Sequence, residues 1–210
     1  MTPDFTAYSG SPRRYSPMLA LKADCYRQFG TFNILGLLKA FLLRRPFRPI
    51  VSLRLCQAMA ASNAPLSWLT PFGRMLHRLT CQLAAIDLPW RTVIGGGFCL
   101  THGWATVISE GAQIGNNVTI FHGATLGQRD RIDRAGVRHT AYPIVEDEVW
   151  IGPQAIIVGG VRIGRGSRIA GGAYVSEDVP PCSVVGGNPA VILKSQTMPD
   201  VMNPAPASVL

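Results

Sequence analysis

The side chains most able to do chemistry near neutral pH are four histidines, five cysteines and one Arg-His pair. Imidazole has a reference pKa of about 6.5, so at cell pH it is largely neutral and can take a proton from an alcohol. His77 lies in GRMLHRLT, at helical spacing, and reads as an ordinary helix residue. His102 stands in CLTHGW, and a His-Gly step alone is commonly structural. His122 stands in TIFHGA and reads as a surface histidine lining a cleft. His139 follows Arg138 near the end of the polar, basic run QRDRIDRAGVRHTAYP. The cysteines, Cys25, Cys56, Cys81, Cys99 and Cys182, are odd in number, scattered and without a CxxC pair. They support neither a disulfide framework nor a zinc site, and free thiols in a reducing cytoplasm are expected. Gly159, Gly160, Gly164 and Gly166 lack the strand–GxGxxG–helix context of a dinucleotide site and read as turn glycines.

Such residues need a scaffold, and 210 residues suit one elaborated domain or two small ones. With 47% hydrophobic and 15% charged residues the chain can bury a sizeable core, which excludes a disordered one. The net charge of +8 favours anionic partners such as nucleotides or CoA phosphates. Nucleic-acid binding has only that charge in its favour and is not expected. The opening MTPDFTAYSGSPRRYSP has no apolar core of a signal peptide, so a cytoplasmic location is expected. The run from Phe32 to Leu43 contains Lys39 and is too short to span a bilayer. Arg44, Arg45 and Arg48 beside it read as a solvated face, with a peripheral contact at the inner membrane face as a further expectation.

The chain divides into an arm over 1–17, a helical region over 18–85, a repeat domain over 86–194 and a tail over 195–210. In the helical region LKADCYRQFG, FNILGLLKAFLL, IVSLRLCQAMAA and PFGRMLHRLTCQLAA are apolar at three- and four-residue spacing. Pro46, Pro49, Pro65 and Pro71 separate them, and Ser62–Asn63 or Thr70 are the expected caps. After Leu88 the period becomes six. Ile108, Ile114, Ile120 and Leu126 are followed, after a break, by Val145, Ile151, Ile157, Ile163, Ile169 and Val175. Small or β-branched residues recur four positions later, Ala112, Ala155 and Ala173 among them. No helix has that period, and an ordinary strand repeats every two residues. A six-residue unit is a short strand plus a turn, and three units make one triangular coil of a parallel β-helix. An earlier coil at Ile94 and Leu100 slips by two residues before Ile108. Residues 128–143 break the period and are expected to leave the coil as a loop.

These repeats resemble the hexapeptide-repeat acyltransferases. Within them, IDLPWRTVIGGGFCLTHGWATVISEGAQIGNNVTIFHGATLG and VWIGPQAIIVGGVRIGRGSRIAGGAYVSEDVPPCSVVGGNPAVIL are similar to the serine acetyltransferase group. The resemblance implies a left-handed parallel β-helix preceded by helices, assembled as a trimer or a dimer of trimers. It implies acetyl-CoA as co-substrate and no metal. It assigns His102 as the catalytic histidine, Asp87 as its carboxylate partner, and Arg138–His139 as an acceptor-pocket pair. Asp24, Thr101 and His122 join the acceptor-binding candidates. Thr101 stands where serine enzymes of the group carry Asp, which helps hold the substrate ammonium. LKADCYRQFG followed by RPFRPIVSLRL is similar to the opening of acetyltransferases of exopolysaccharide and capsule synthesis. A carbohydrate hydroxyl, on a small sugar or a polysaccharide, is therefore the expected acceptor, with L-serine as the alternative.

Asp87 and His102 are fifteen residues apart, close to one coil, so stacking side by side is expected. The carboxylate would then fix the imidazole tautomer. No Ser or Cys has an activating neighbour, so direct transfer is expected over a covalent acyl-enzyme. His139 would orient the acceptor or steady the oxyanion, from a neighbouring subunit or its own. CoA would lie along the later coils at Gly152, Ala155 and Gly172, with Arg165, Arg168 and Lys194 near its phosphates. Two other classes stay open. A metal-dependent hydratase of the carbonic anhydrase kind would need a close HxxxxH pair, which the sequence lacks, and a non-catalytic scaffold would need none of these roles.

Overall fold

The computed structural model describes residues 15–63 and 65–210; most of the expected arm over 1–17 lies outside them. Four α-helices come first: α1 (Pro17–Phe29), α2 (Ile34–Leu43), α3 (Phe47–Ala61) and α4 (Thr70–Ala84). Pro49 falls inside α3 rather than between helices, because a proline in the first turn gives up an N–H that has no helical partner there. The expected caps are not used. Ser62 ends α3, with its hydroxyl donating to Met59 O, and Thr70 donates back to Ser67 O, so neither side chain opens α4.

The strands wind in threes around an aliphatic column. One face carries β1 (Val93–Ile94), β4 (Gln113–Ile114), β9 (Ile144–Val145) and β12 (Arg162–Ile163). The second carries β2 (Cys99–Thr101), β5 (Thr119–Phe121), β10 (Trp150–Ile151), β13 (Arg168–Ile169) and β15 (Val184–Gly186), closed by β16 (Val191–Lys194) running antiparallel. The third carries β3 (Val107–Ile108), β6 (Thr125–Gly127), β11 (Ile156–Val158) and β14 (Tyr174–Val175). Within each face all other pairings are parallel. All ten aliphatic residues of the six-residue series, from Ile108 to Val175, are buried. Each removes roughly 1.5–3 kcal/mol worth of apolar surface from water.

The coil registers locate two insertions. Between later coils the step is 18 residues, as from Trp150 to Arg168. From Gln113 to Ile144 it is 31, because β7 (Arg129–Ile132) and β8 (Arg138–Ala141) leave the coil. This segment is an antiparallel hairpin rather than a loop, with Arg131 opposite His139. In the first coil the step is 20, from Cys99 to Thr119, but it falls to 18 from Val107 to Thr125. The two extra residues therefore lie between Thr101 and Val107, in the corner that holds His102.

A polar clamp joins the helices to this first coil. Arg54 is fully buried; it donates to Asp24 at 2.9 Å and to the Ile94 and Gly95 carbonyls at 2.7 and 2.6 Å. Asp24 also accepts from Phe98 N at 2.7 Å. The tail returns along the coils, where Ala205 N donates to Asn117 Oδ1 at 3.0 Å.

Candidate active site at the first coil corner

His102 follows β2 directly, and its corner is built under strain. Five residues connect β2 to β3, whereas three connect β5 to β6 directly beneath. The excess chain is taken up by left-handed conformations at His102 (φ 63°), Gly103 (φ 56°) and Ala105 (φ 52°). For residues with a Cβ this costs on the order of 1 kcal/mol each, and such outliers concentrate at functional sites. The corner is fixed from three sides. Ala105 N donates to Ala85 O at 2.8 Å, and Gly123 N donates to Trp104 O at 2.6 Å. Gly103 lies against Pro46, so close that a Cβ at 103 would meet the proline ring at 2.9 Å. His102 itself is exposed, with its ring 6.0 Å from that of His122 and 6.5 Å from that of Phe121. Thr101, half-buried at the end of β2, lies beside Cys99 with its hydroxyl 3.8 Å from Sγ.

Sequence reasoning missed one neighbour of this corner. Arg45, read as part of a solvated face, lays its guanidinium over the Trp104 ring, 3.4 Å from the centroid, and donates to Ala84 O at 2.6 Å. Arg48 is tied to the Phe41 carbonyl at 2.9 Å, and Arg44 to Gln28 at 3.1 Å. These cations brace the elbow between α2 and α3. The one signal in the sequence is that they flank Pro46, which stands between the two apolar helical runs and opens α3.

Asp87 does not stack on His102. The twenty-residue step pairs it with Val107 instead: Asp87 N donates to Thr106 O, and Ile108 N donates to Asp87 O, both at 2.9 Å. Among the described residues the Asp87 carboxylate and the His102 ring share no hydrogen bond. Asp87 is exposed and borders a cavity of about 590 Å³ between α4 and the first coil, with Arg74, His77, Arg78 and Trp90. Burial, with help from the Asp87 charge, pushes the Cys81 thiol up to about 12, so this cysteine is no nucleophile.

Asp24 is not an acceptor ligand in this structure. Its carboxylate is sealed and occupied by Arg54 and Phe98 N, and burial raises its pKa while Arg54 opposes the rise. His77 is buried in α4, donating from Nε2 to Leu88 O at 2.7 Å and facing Ser52 Oγ at 2.9 Å; burial lowers its pKa.

Arg138 and His139 stand on the exposed hairpin, which leaves from the corner after the third face and not from the His102 corner. Arg138 pairs with Asp130 at 2.5 Å, and His139 Nε2 lies 2.9 Å from Asp133. Hydrogen bonds from Thr140 and Arg138 hold the Asp130 carboxyl below its ordinary range, and His139 does the same for Asp133. Within one chain the hairpin pair and His102 are therefore not brought together.

The expected CoA contacts divide. Ala155 is fully buried in the column, and Gly152 packs so closely on the next coil that a Cβ would meet Gly171 N at 2.6 Å. Neither leaves room for a pantetheine arm. Gly172 is exposed in an open turn, where a Cβ would meet nothing within 4 Å. Arg165 is engaged by Glu148 at 3.0 Å, and Arg168 pairs with Asp200 and lies over Trp150. Lys194 is exposed at the end of β16. Among the described residues no helix is long and apolar enough to cross a membrane.

Residues 142–177 match the family model described as bacterial transferase hexapeptide (six repeats). Over 121 residues the chain is 42% identical to a serine acetyltransferase of Bacillus licheniformis, covering 58% of this chain and 54% of that protein. Over 138 residues it is 40% identical to a serine acetyltransferase of Mycobacterium tuberculosis, covering 63% and 58%. The crystal structure of Neisseria gonorrhoeae serine acetyltransferase in complex with serine matches 85% of this chain and 69% of its own, at TM-score 0.65 and 29% identity. The chain thus spans little more than half the length of the curated relatives it matches. These relatives are named for serine and none for a sugar, so they lend the expected polysaccharide acceptor no support.

Proposed function

We propose that the chain transfers acetyl from acetyl-CoA to the hydroxyl of L-serine, with His102 as general base, on a left-handed β-helix. The observation that carries the reading is the His102 corner: an exposed imidazole, lifted on a strained and doubly braced insertion in an otherwise regular coil. The serine acetyltransferase relatives support the substrate and co-substrate. A ring nitrogen of His102 takes the hydroxyl proton as the oxygen attacks the thioester carbon, then returns it to the departing thiolate. Asp87, exposed beside Val107 on the adjoining edge of the first coil, steadies the imidazolium by its charge and not by a hydrogen bond.

Arg138 and His139 act at the site of a neighbouring subunit. The hairpin and the His102 corner occupy different corners of one triangular prism, an arrangement that a threefold assembly brings together. Thr101 and His122 line the acceptor side. Gly172 and Lys194 contact CoA, whose phosphates Arg165 and Arg168 reach only by exchanging their carboxylate partners.

The test follows thiol release from acetyl-CoA with L-serine and a panel of other hydroxyl acceptors. Turnover on serine, lowered about a hundred- to ten-thousand-fold in His102→Ala, is expected. Turnover on another hydroxyl alone would remove serine and keep the mechanism. Undiminished turnover in the variant would remove His102.

A further inference from the structure

We propose that His122 is a second catalytic histidine, a fixed Nε2–H donor that holds the acetyl carbonyl oxygen as it becomes negative. The proposal rests on the acetyl-transfer reading of the His102 corner.

Twenty residues separate the two histidines, which is the register of the first two coils, so they occupy the same corner one level apart. Their ring centroids are 6.0 Å apart and their planes meet at 75°. Alongside, the Phe121 and Trp150 rings pack at 4.7 Å and wall the second face. The two nitrogens of His122 have unlike surroundings. Nδ1 is buried with no hydrogen-bond partner, whereas Nε2 keeps access to solvent. A buried N–H without an acceptor loses its hydration with nothing in return. A bare acceptor is the more common orphan in proteins. The ring proton therefore sits on Nε2. In that tautomer the Nδ1 lone pair lies inside and the N–H is left on the side of the ring that keeps access to solvent.

Two backbone donors at this corner are already taken. Gly123 N is bonded to Trp104 O at 2.6 Å, and Gln154 N to His122 O at 2.9 Å. For an oxyanion developing here His122 supplies a side-chain donor. The roles then separate. His102 accepts the acceptor's hydroxyl proton while an oxygen lone pair forms the new C–O bond. The carbonyl π pair moves onto its oxygen, against His122 Nε2–H. When the C=O bond re-forms, the C–S bond breaks, its electron pair leaves on sulfur, and the proton on His102 passes to that thiolate. His122 keeps its proton throughout.

The test uses the full chain with acetyl-CoA and whichever acceptor it turns over. His122→Phe keeps a flat ring and removes the donor; it is expected to lower kcat about a hundred- to a thousand-fold, with KM little changed. His122→Gln restores an N–H and is expected to recover much of that loss. Long-range 15N–1H correlation on the wild-type chain is expected to place the His122 ring proton on Nε2, independently of activity. A proton on Nδ1, or a His122→Phe chain with wild-type kcat, overturns the proposal while leaving acetyl transfer intact. A wild-type chain that releases no thiol with any hydroxyl overturns the acetyl-transfer reading, and the role of His122 falls with it.

Discussion

The coils from β3 to β14 and the junction of α1 and α3 with the first coil bury side chains under opposite rules. The coils bury mainly Ile, Val, Leu and Ala, with Asn117, Thr119 and Ser167 the polar exceptions among the described residues. Their polar demands are met by the strand ladders, one residue at a time. The junction buries Asp24, Arg27 and Arg54, with Ser52, His77 and Thr80 in the neighbouring α3–α4 interface. The titratable ones are satisfied by partners from other segments: Arg27 by Gly97 O and Thr119 Oγ1, Asp24 by Arg54 and Phe98 N, His77 by Ser52 and Leu88 O. A missing aliphatic group in the coil leaves a void, whereas a missing partner in the junction leaves a charge in a dry place. The second failure is harder to absorb, and it touches the first coil, where His102 sits.

The strongest way to break this comparison is Asp24→Ala, which strands the Arg54 guanidinium. A loss of about 3–5 kcal/mol is expected in urea unfolding. Replacing both partners with apolar residues, Asp24→Leu with Arg54→Met, is expected to cost far less, since no charge remains to desolvate. If the double variant is as unstable as the single one, the clamp works by shape and not by charge, and the contrast with the coils dissolves.

How much of each region could be read in advance follows from the same difference. The hexapeptide series from Val145 to Val175 declares its burial locally, because every sixth residue repeats one environment. Even the two-residue slip before Ile108 was legible, and it marks the corner that lifts His102. The helices are legible by period, but their junction is not: nothing near Asp24 announces a partner thirty residues on that would mark it as structural. The expected stacking of Asp87 on His102 fails because fifteen residues fall short of the first coil, whose enlarged corner makes the step twenty. Ala155 and Gly152 show that size alone does not mark a CoA contact, since small residues in a coil serve close packing as readily as ligand approach.

A smaller effect should appear with pH. Burial lowers the pKa of His77, so the unfolded chain binds a proton there more readily than the folded one. As pH falls through about 6.5 the unfolded state gains that proton first, and stability falls with it. A loss on the order of 1 kcal/mol by pH 5 is expected from this residue, read as the steepness of Tm against pH. His77→Gln, which carries no titrating group, should flatten that slope even though it lowers Tm at neutral pH. An unchanged slope would assign the acid sensitivity to other groups of the junction.

The smallest structural effect belongs to the hairpin, which follows neither rule. Asp133 builds its turn by accepting from Ala135 N and Val137 N at 2.8 and 2.9 Å, and tethers His139 with its other oxygen. Asp133→Asn keeps an oxygen for the turn and removes the charge opposite His139, so no change in Tm is expected for so exposed a site. If the hairpin acts at a neighbour's acceptor pocket, the same variant should raise KM for the acceptor and leave kcat nearly unchanged, because a loosened His139 weakens binding before chemistry. His139→Ala should do the same to a greater degree. Should both variants match the wild type in KM and kcat, the hairpin has no part in the reaction, and the corner that carries His102 and His122 must hold the acceptor by itself.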